Sequence, residues 1–449
     1  MTQQTISVLG AGYVGLTSAA LFAQLGHTVF VVEPNQERLK VIQSGRSFFF
    51  EDGLDTLVAD GISSGNLIAT DSYQDCIPQS DLVFSCVGTP DHPDGSSNLT
   101  YVHSAAKQAA NLMKPEAVYI QKSTVPVGTG DKVIASTDLT VDQYVSNPEF
   151  LREGTALLDT LWFDRVVCGG SSTESLSKVL NLYQELETSR EQIAVKANLP
   201  AQEKTGRYIT TNLTSAELIK VTSNAFLALK ISFANSIAKL ADAVGADVSE
   251  VMDAVGADSR IGRAFLNAGR GYGGGCFPKD VSGLIMSGLD HGVDLGIMRA
   301  AQDLNNSMPS YVVERLKEKL GGSLTGKKIA VLGMAFKKGT SDTRKSPGIK
   351  IANLLDTFNA SVHAYDPQAK EEAQADLRRG VTLHESHTDA ITGCDAVVIA
   401  TEWDEFSNIP AEYFAKHLSE GALIMDAVNI YTESSSLSDH NLAYMGIGR

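Results

Sequence analysis

No apolar run in this chain is long enough to cross a bilayer, and no basic-then-apolar segment stands at its start, where TISVL already reads as a strand. We therefore expect a cytoplasmic protein without a membrane partner. Cysteine is scarce. The five (Cys76, Cys86, Cys168, Cys276 and Cys394) are odd in number, widely scattered and lack a CxxC pair. That pattern excludes a disulfide framework and argues for reduced thiols. Positive charge is in deficit, with 37 Lys and Arg against 53 Asp and Glu and a net charge of -16, which disfavours nonspecific nucleic-acid binding. An anionic ligand would need a local cluster of Lys, Arg and backbone N–H groups. His384 and His387 form a close histidine pair without a Cys or acidic cluster at metal spacing. They read as surface residues, and no metal is expected.

What remains is ordinary for a soluble protein: 43% hydrophobic and 20% charged residues over 449 positions. That length exceeds one hydrophobic core and favours two or three domains.

The most distinctive stretch is Phe265–Asp280, FLNAGRGYGGGCFPKD, with five glycines between positions 269 and 275. Glycine loses too much backbone freedom for such a run to lie inside a helix or strand. It suits a loop where backbone passes close to another molecule. The loop ends on Cys276, with Lys279 and Asp280 just beyond. A thiol there has the ingredients of an activated nucleophile, although a cysteine beside glycines is more often a small buried hydrophobe.

Residues 5 to 33 read as strand, Gly10-Ala-Gly12-Tyr13-Val14-Gly15, helix, and a second strand Thr28 to Val32 ending in Glu33. Glycines at these positions allow a tight turn, close approach to a pyrophosphate and close helix–strand packing, and the phosphates sit on the helix N-terminus. The strand–turn–helix setting and the acidic residue make this a dinucleotide fingerprint. Glu33 should bond the ribose hydroxyls and repel a 2′-phosphate, favouring NAD, and Arg38 can reach the same end. Strands at 81–89 and 118–124 continue the pattern and place Thr89 and Thr124 at their C-terminal ends, where ligands gather in such sheets. In Asn147-Pro-Glu149-Phe-Leu-Arg-Glu153, after a short strand 143–146, a helical turn would stack the two carboxylates.

Residues 191–213 look like an irregular polar connection. From Thr214 about thirty residues run without Gly or Pro, with Thr214-Ser-Ala-Glu217 as a capping box, so one long helix is expected. Its broad apolar content predicts burial on several sides. Lys220 and Asn224 face the same way, and a buried lysine needs an anionic partner. The segments 326–333, 361–366 and 394–401 then echo the first domain, with Gly333-Met-Ala-Phe-Lys-Lys-Gly instead of a full GxGxxG. The fold expected is α/β, with two Rossmann-like doubly wound domains joined by a long central helix. The divisions are 1–200 for the cofactor, 201–315 for the central part and 316–449 for the second Rossmann-like domain.

GAGYVG, STVPVGTG, NPEFLREG, SAELIK with NAFLA, GYGGGCFPKD and GMAFKKGTSDTR, in this order, resemble the UDP-glucose/GDP-mannose dehydrogenase family over essentially the whole chain. The resemblance is strongest to the branch acting on UDP-glucose. It implies oxidation of a primary alcohol to a carboxylate with two NAD and one water. Cys276 would carry a thiohemiacetal and then a thioester, and Lys220 and Asn224 would stabilise the oxyanion. Asp280 and Thr124 would manage water and protons, with Glu149 a base for hydrolysis. The resemblance also implies NAD contacts from Gly10, Gly12, Tyr13, Val14, Gly15, Glu33, Arg38, Thr89, Thr124, Glu153, Lys279 and Arg344. At the nucleotide sugar it implies Glu149, Phe150, Leu151, Arg152, Glu153, Lys220, Asn224, Phe265, Gly273 and Lys337. Arg260 would reach the substrate of a second subunit, so a homodimer, or an assembly of dimers, is implied. Two positions and one stretch depart from the pattern: Arg270 replaces a common Pro, Val428 replaces a usual Arg, and 191–213 looks long. The alternatives are the same chemistry on GDP-mannose or a UDP-N-acetylhexosamine, and a non-catalytic NAD-binding sensor. The sensor predicts loss of Cys276, Lys220 or Asp280, and all three are present.

Overall fold

Short apolar strands alternating with helices bury both faces of a parallel sheet. The computed structural model of the chain, which describes residues 3–431 and 435–449, contains two such sheets. They lie in two compact units, Met1–Ser223 and Asn224–Arg449.

The strands of the first unit are β1 (Thr5–Leu9), β2 (Thr28–Val32), β3 (Leu67–Thr70), β4 (Leu82–Ser85), β5 (Val118–Gln121), β6 (Tyr144–Ser146), β7 (Arg165–Gly169) and β8 (Arg207–Thr211). Their order is β3-β2-β1-β4-β5-β6-β7-β8, so the winding reverses between β1 and β4. All neighbours are parallel except β6 and β7. Ile6, Val8, Leu82 and Phe84 are fully buried, and helix Tyr13–Gln24 covers them with Leu16, Ala20 and Phe22.

The second unit holds β9 (Lys328–Leu332), β10 (Ser361–Tyr365), β11 (Val381–Leu383), β12 (Ala396–Ile399), β13 (Leu423–Asp426) and β14 (Ala443–Gly446). Their order, β11-β10-β9-β12-β13-β14, repeats the first six positions of the other sheet, here wholly parallel. The expected pair of doubly wound sheets is present.

A 32-residue helix, Leu213–Val244, occupies the expected place. One local expectation fails there. Asn212, not Thr214, caps the helix, its Oδ1 accepting the Ser215 N–H at 2.8 Å. Glu217 is therefore not the second half of a capping box; its carboxylate turns to another loop. Along the helix Ala216, Val221, Ala225, Ala234 and Ala238 are buried, whereas Phe226, Phe233, Leu240 and Val244 are exposed in the single chain. The polar connection is much shorter than 191–213. Helix Thr173–Lys196 extends into it, and Arg207–Thr211 leaves it as β8. Tyr, Ile and Thr in that strand favour a pleated edge, and β8 pairs with all of β7.

Candidate active site

In the first unit the glycines of the opening motif have separate causes. Gly10 has φ +92°, and a Cβ there would lie 2.8 Å from the Cys86 carbonyl oxygen. At Gly15 a Cβ would meet the Gly10 oxygen at 1.8 Å. Both are fixed by close packing of turn, helix and β4. Gly12 differs: a Cβ would meet nothing within 4 Å. It is extended at the N-terminus of helix Tyr13–Gln24, which has no side-chain cap. An open, glycine-lined helix N-terminus at the switch between β1 and β4 fits a pyrophosphate. Glu33 is buried just beyond β2 and accepts the Asn35 N–H at 2.9 Å, which fixes its carboxylate. Arg38 lies over the Phe48 ring, 4.8 Å from its centroid. Thr89 and Thr124 follow β4 and β5, as expected. Ser123 anchors the second of these turns by donating to the Val87 carbonyl at 2.7 Å.

Lys220 is buried and has the partner that burial demands. Its Nζ lies 2.9 Å from Glu149 Oε1, with both side chains under a tenth exposed. The turn of helix expected over 149–153 does not form. Pro148 pushes Asn147 away from helical backbone, and the Glu149 carboxylate instead accepts the Leu151 N–H at 2.8 Å. Glu149 and Glu153 are thus not stacked. Phe150 lies under two cations, Arg165 at 3.8 Å and Lys220 at 5.4 Å from its centroid. Arg152 points elsewhere, paired with Asp159 at 2.6 Å on an exposed edge.

Sequence reasoning missed the tertiary partners of three buried polar groups. Lys122 donates to Tyr183 Oη at 2.6 Å and to Asn147 Oδ1 at 3.4 Å, locking the residues beside Thr124 and Glu149. Glu51 accepts the Gly154 and Leu157 N–H groups at 3.0 and 3.2 Å, holding the far end of the Glu149 loop. Glu217 accepts from Gly128 and Gly130. Each joins residues distant in the chain, so no local spacing announces it.

In the second unit Cys276 is exposed, whereas Cys394 of the same unit and the three cysteines of the first are buried. It stands at the N-terminus of helix Phe277–Asp290, where the partial positive charge favours an anion. Asp280 is one turn on, its N–H bonded to the Cys276 carbonyl at 2.9 Å. Its buried carboxylate accepts from Asn224 Nδ2 at 2.6 Å and from Lys279 Nζ at 2.7 Å. The glycine loop is tightly wedged: a Cβ at Gly273 would lie 2.5 Å from the Lys345 oxygen, and one at Gly275 would strike the Arg344 guanidinium. Arg344 is also held by Asp342 at 2.6 Å. Phe265 has φ +65°, a strained backbone for an aromatic residue, and packs on Phe277.

Asp366 occupies the position in this sheet that Glu33 holds in the other. It accepts the Met334 and Ala335 N–H groups at 2.7 and 2.9 Å, and Gln368 and Ala369 bind its other oxygen. This acid fixes the turn after β9, and the following Lys337 lies over the Phe336 ring. Arg270 is buried, donating to the carbonyls of Gly271 and Phe336. Val428 packs among apolar residues. Arg260 is exposed and paired with Asp258. His384 contacts His363 at 2.8 Å and His387 contacts Glu405 at 2.7 Å.

A cofactor-binding doubly wound unit and a second one carrying an exposed thiol define an NAD-dependent oxidoreductase, and the chain belongs to the UDP-glucose/GDP-mannose dehydrogenase family. The family's NAD binding domain matches residues 4–187, its central domain 214–307 and its UDP binding domain 330–433. The chain is 39% identical to a UDP-glucose 6-dehydrogenase of Rhizobium meliloti (strain 1021), covering 99% of each chain. It is 36% identical to one of Bacillus subtilis (strain 168), over 99% of this chain and 97% of that one. Among solved structures it resembles a UDP-glucose dehydrogenase from Pyrobaculum islandicum, with TM-score 0.87 and 35% identity over 100% of this chain and 98% of that one. A UDP-D-ManNAc dehydrogenase from Pyrococcus horikoshii is similar at TM-score 0.85 and 30% identity, over 99% of each chain. NAD is the cofactor, and the UDP binding domain marks a nucleotide sugar as the ligand class.

Proposed function

We propose that this chain oxidises UDP-glucose to UDP-glucuronate in two successive steps, with the second oxidation carried out on a sulfur adduct. The exposure of Cys276 at the head of the helix that carries Asp280 is the observation that supports this most. A single oxidation of an alcohol to an aldehyde needs no thiol. NAD, when bound, accepts the hydride in each oxidation. Cys276 adds its sulfur to the aldehyde carbon, giving a thiohemiacetal that keeps the intermediate attached. Oxidation of that adduct leaves a thioester, and water then breaks the carbon–sulfur bond to release the carboxylate and restore the thiol.

Lys220 and Asn224 stabilise the negative charge on the reacting oxygen. Asp280 and Thr124 handle the water and its proton, and Glu149, held by Lys220, serves as base for hydrolysis. Glu33, Arg38, Thr89, Glu153, Lys279 and Arg344 serve the cofactor. Phe150, Leu151, Arg152, Phe265, Gly273 and Lys337 serve the nucleotide sugar. We assign 1–200 as the NAD-binding domain, 201–315 as the central dimer-forming domain and 316–449 as the nucleotide-sugar-binding domain.

The apolar stripe on the long helix supports a homodimer. Phe226, Phe233 and Leu240 are exposed at seven-residue intervals, one face of a helix. Arg260, also exposed, would serve the partner's substrate. Sedimentation of Phe233→Glu tests this: a monomer is expected, and an unchanged assembly would contradict it.

A second reading takes a UDP-N-acetylhexosamine, favoured by the similarity to the Pyrococcus horikoshii enzyme and by Val428. Initial rates of NADH formation with UDP-glucose, GDP-mannose and UDP-N-acetylmannosamine decide between them. UDP-glucose should have the highest kcat/KM, and preference for either other sugar would replace it.

A further inference from the structure

Glu217 carries a carboxylate that no part of the scheme above uses, although it is only 2% exposed. Its Oε2 lies 2.6 Å from the Gly128 nitrogen and its Oε1 2.7 Å from the Gly130 nitrogen. Among the described residues no lysine or arginine pairs with it. The two amides belong to the start of helix Thr129–Ser136, which has no side-chain cap of its own. The first amides of a helix need acceptors, ordinarily from a Ser, Thr, Asn or Asp just ahead of them. Gly128 at φ +83° has no side chain to offer. A distant helix supplies the acceptor instead.

The position of this clamp gives it a use. Residues 125–128 lead directly from Thr124 to the clamped amides. The other end of this segment is held by Ser123, bonded to the Val87 carbonyl. Lys220 follows Glu217 on the same helix by three residues and is paired with Glu149. We propose that Glu217 is a positioning residue that holds the Thr124 loop and the Lys220 helix in one frame for the oxidation. This rests on the proposed function, since Thr124 and Lys220 matter only if they serve the reacting centre. Displacement of such groups by about 1 Å can cost on the order of 100-fold in rate.

Both oxygens accept fully only when the carboxyl is ionised. Burial pushes its pKa up to about 7, and the Gly130 and Gly128 N–H groups oppose that shift while nearby Asp131 adds to it. Tyr144 of β6 also faces this position, its ring 3.0 Å from where a Gly130 Cβ would stand. The clamp should therefore loosen as pH falls through about 7.

The test uses the whole protein with Glu217→Gln, which keeps the size and one acceptor but turns an NH2 toward an N–H. Expected are a fall in kcat of about tenfold or more, an NAD Kd within about twofold of wild type, and loss of the acidic limb of the kcat profile. Amide exchange should quicken at Gly128 and Gly130 and stay unchanged in β1 and β4. If the variant does not fold, wild type alone suffices: after correction for intrinsic rates, those two amides should lose protection between about pH 8 and pH 6. Unchanged protection there overturns the inference. So does a variant with unchanged kcat beside an active wild type, which leaves the functional reading intact. A wild type that binds NAD yet oxidises no nucleotide sugar overturns that reading, and this inference with it.

Discussion

Lys220 Nζ lies 2.9 Å from Glu149 Oε1, with the two side chains 4% and 8% exposed. A lysine buried to this degree on an apolar helix is stabilised by the carboxylate that accompanies it. The pair also ties the loop after β6 to the long helix, so each group orients the other.

Removing one member should therefore do more harm than removing both. Glu149→Leu removes the carboxylate from beside a buried ammonium and should cost about 3–5 kcal/mol in urea unfolding. Adding Lys220→Met should restore most of that stability while activity stays lost. A single variant as stable as wild type would show that the charge is not buried in solution.

Under the proposed function, cofactor choice turns on Glu33. Its carboxylate, held by the Asn35 N–H, would stand against a 2′-phosphate, and juxtaposed like charges cost several kcal/mol, so kcat/KM should favour NAD over NADP by about 100-fold or more. Glu33→Ala should narrow that ratio mainly by improving NADP. Equal use of both cofactors by wild type would contradict the assignment.

Stability should depend on pH through Glu51. Burial raises its pKa from 4.5 to about 7, partly opposed by the Leu157, Gly154 and Ala156 N–H groups, with nearby Asp159 adding to the rise. A carboxyl with a raised folded pKa binds its proton more tightly in the folded state. Its contribution is then fully present below about pH 4.5 and is lost as pH rises through about 7. The shift corresponds to at most about 3 kcal/mol. Glu51→Gln should flatten this window when urea midpoints at about pH 5 and pH 7.5 are compared, and an unchanged slope would assign the dependence elsewhere.

The features legible in the sequence were those encoded locally. Gly10, Gly12 and Gly15 between a strand and a helix announce a cofactor turn, and Asp366 after β10 echoes Glu33 after β2. The long helix was readable from its lack of Gly and Pro. Where reasoning failed, a distant partner decided. Thr214 and Glu217 have the spacing of a capping box, but Asn212 takes the cap and Gly128 and Gly130 draw the glutamate away. Glu149 and Glu153 have helical spacing, but Pro148 and Lys220 set the loop. Arg207–Thr211 looks like polar connection until β7 is present to pair with it. Lys122 and Glu51 gave no signal, because their meaning lies in tertiary contacts alone.

The central claim is a covalent passage through Cys276, and NADH yield under limiting substrate tests it most directly. With purified protein and excess NAD, two NADH should form for each UDP-glucose consumed. Cys276→Ser should stop after the first oxidation or stall at a slowly hydrolysed ester. One NADH per sugar with free aldehyde in solution, or undiminished acid formation by Cys276→Ser, would contradict it.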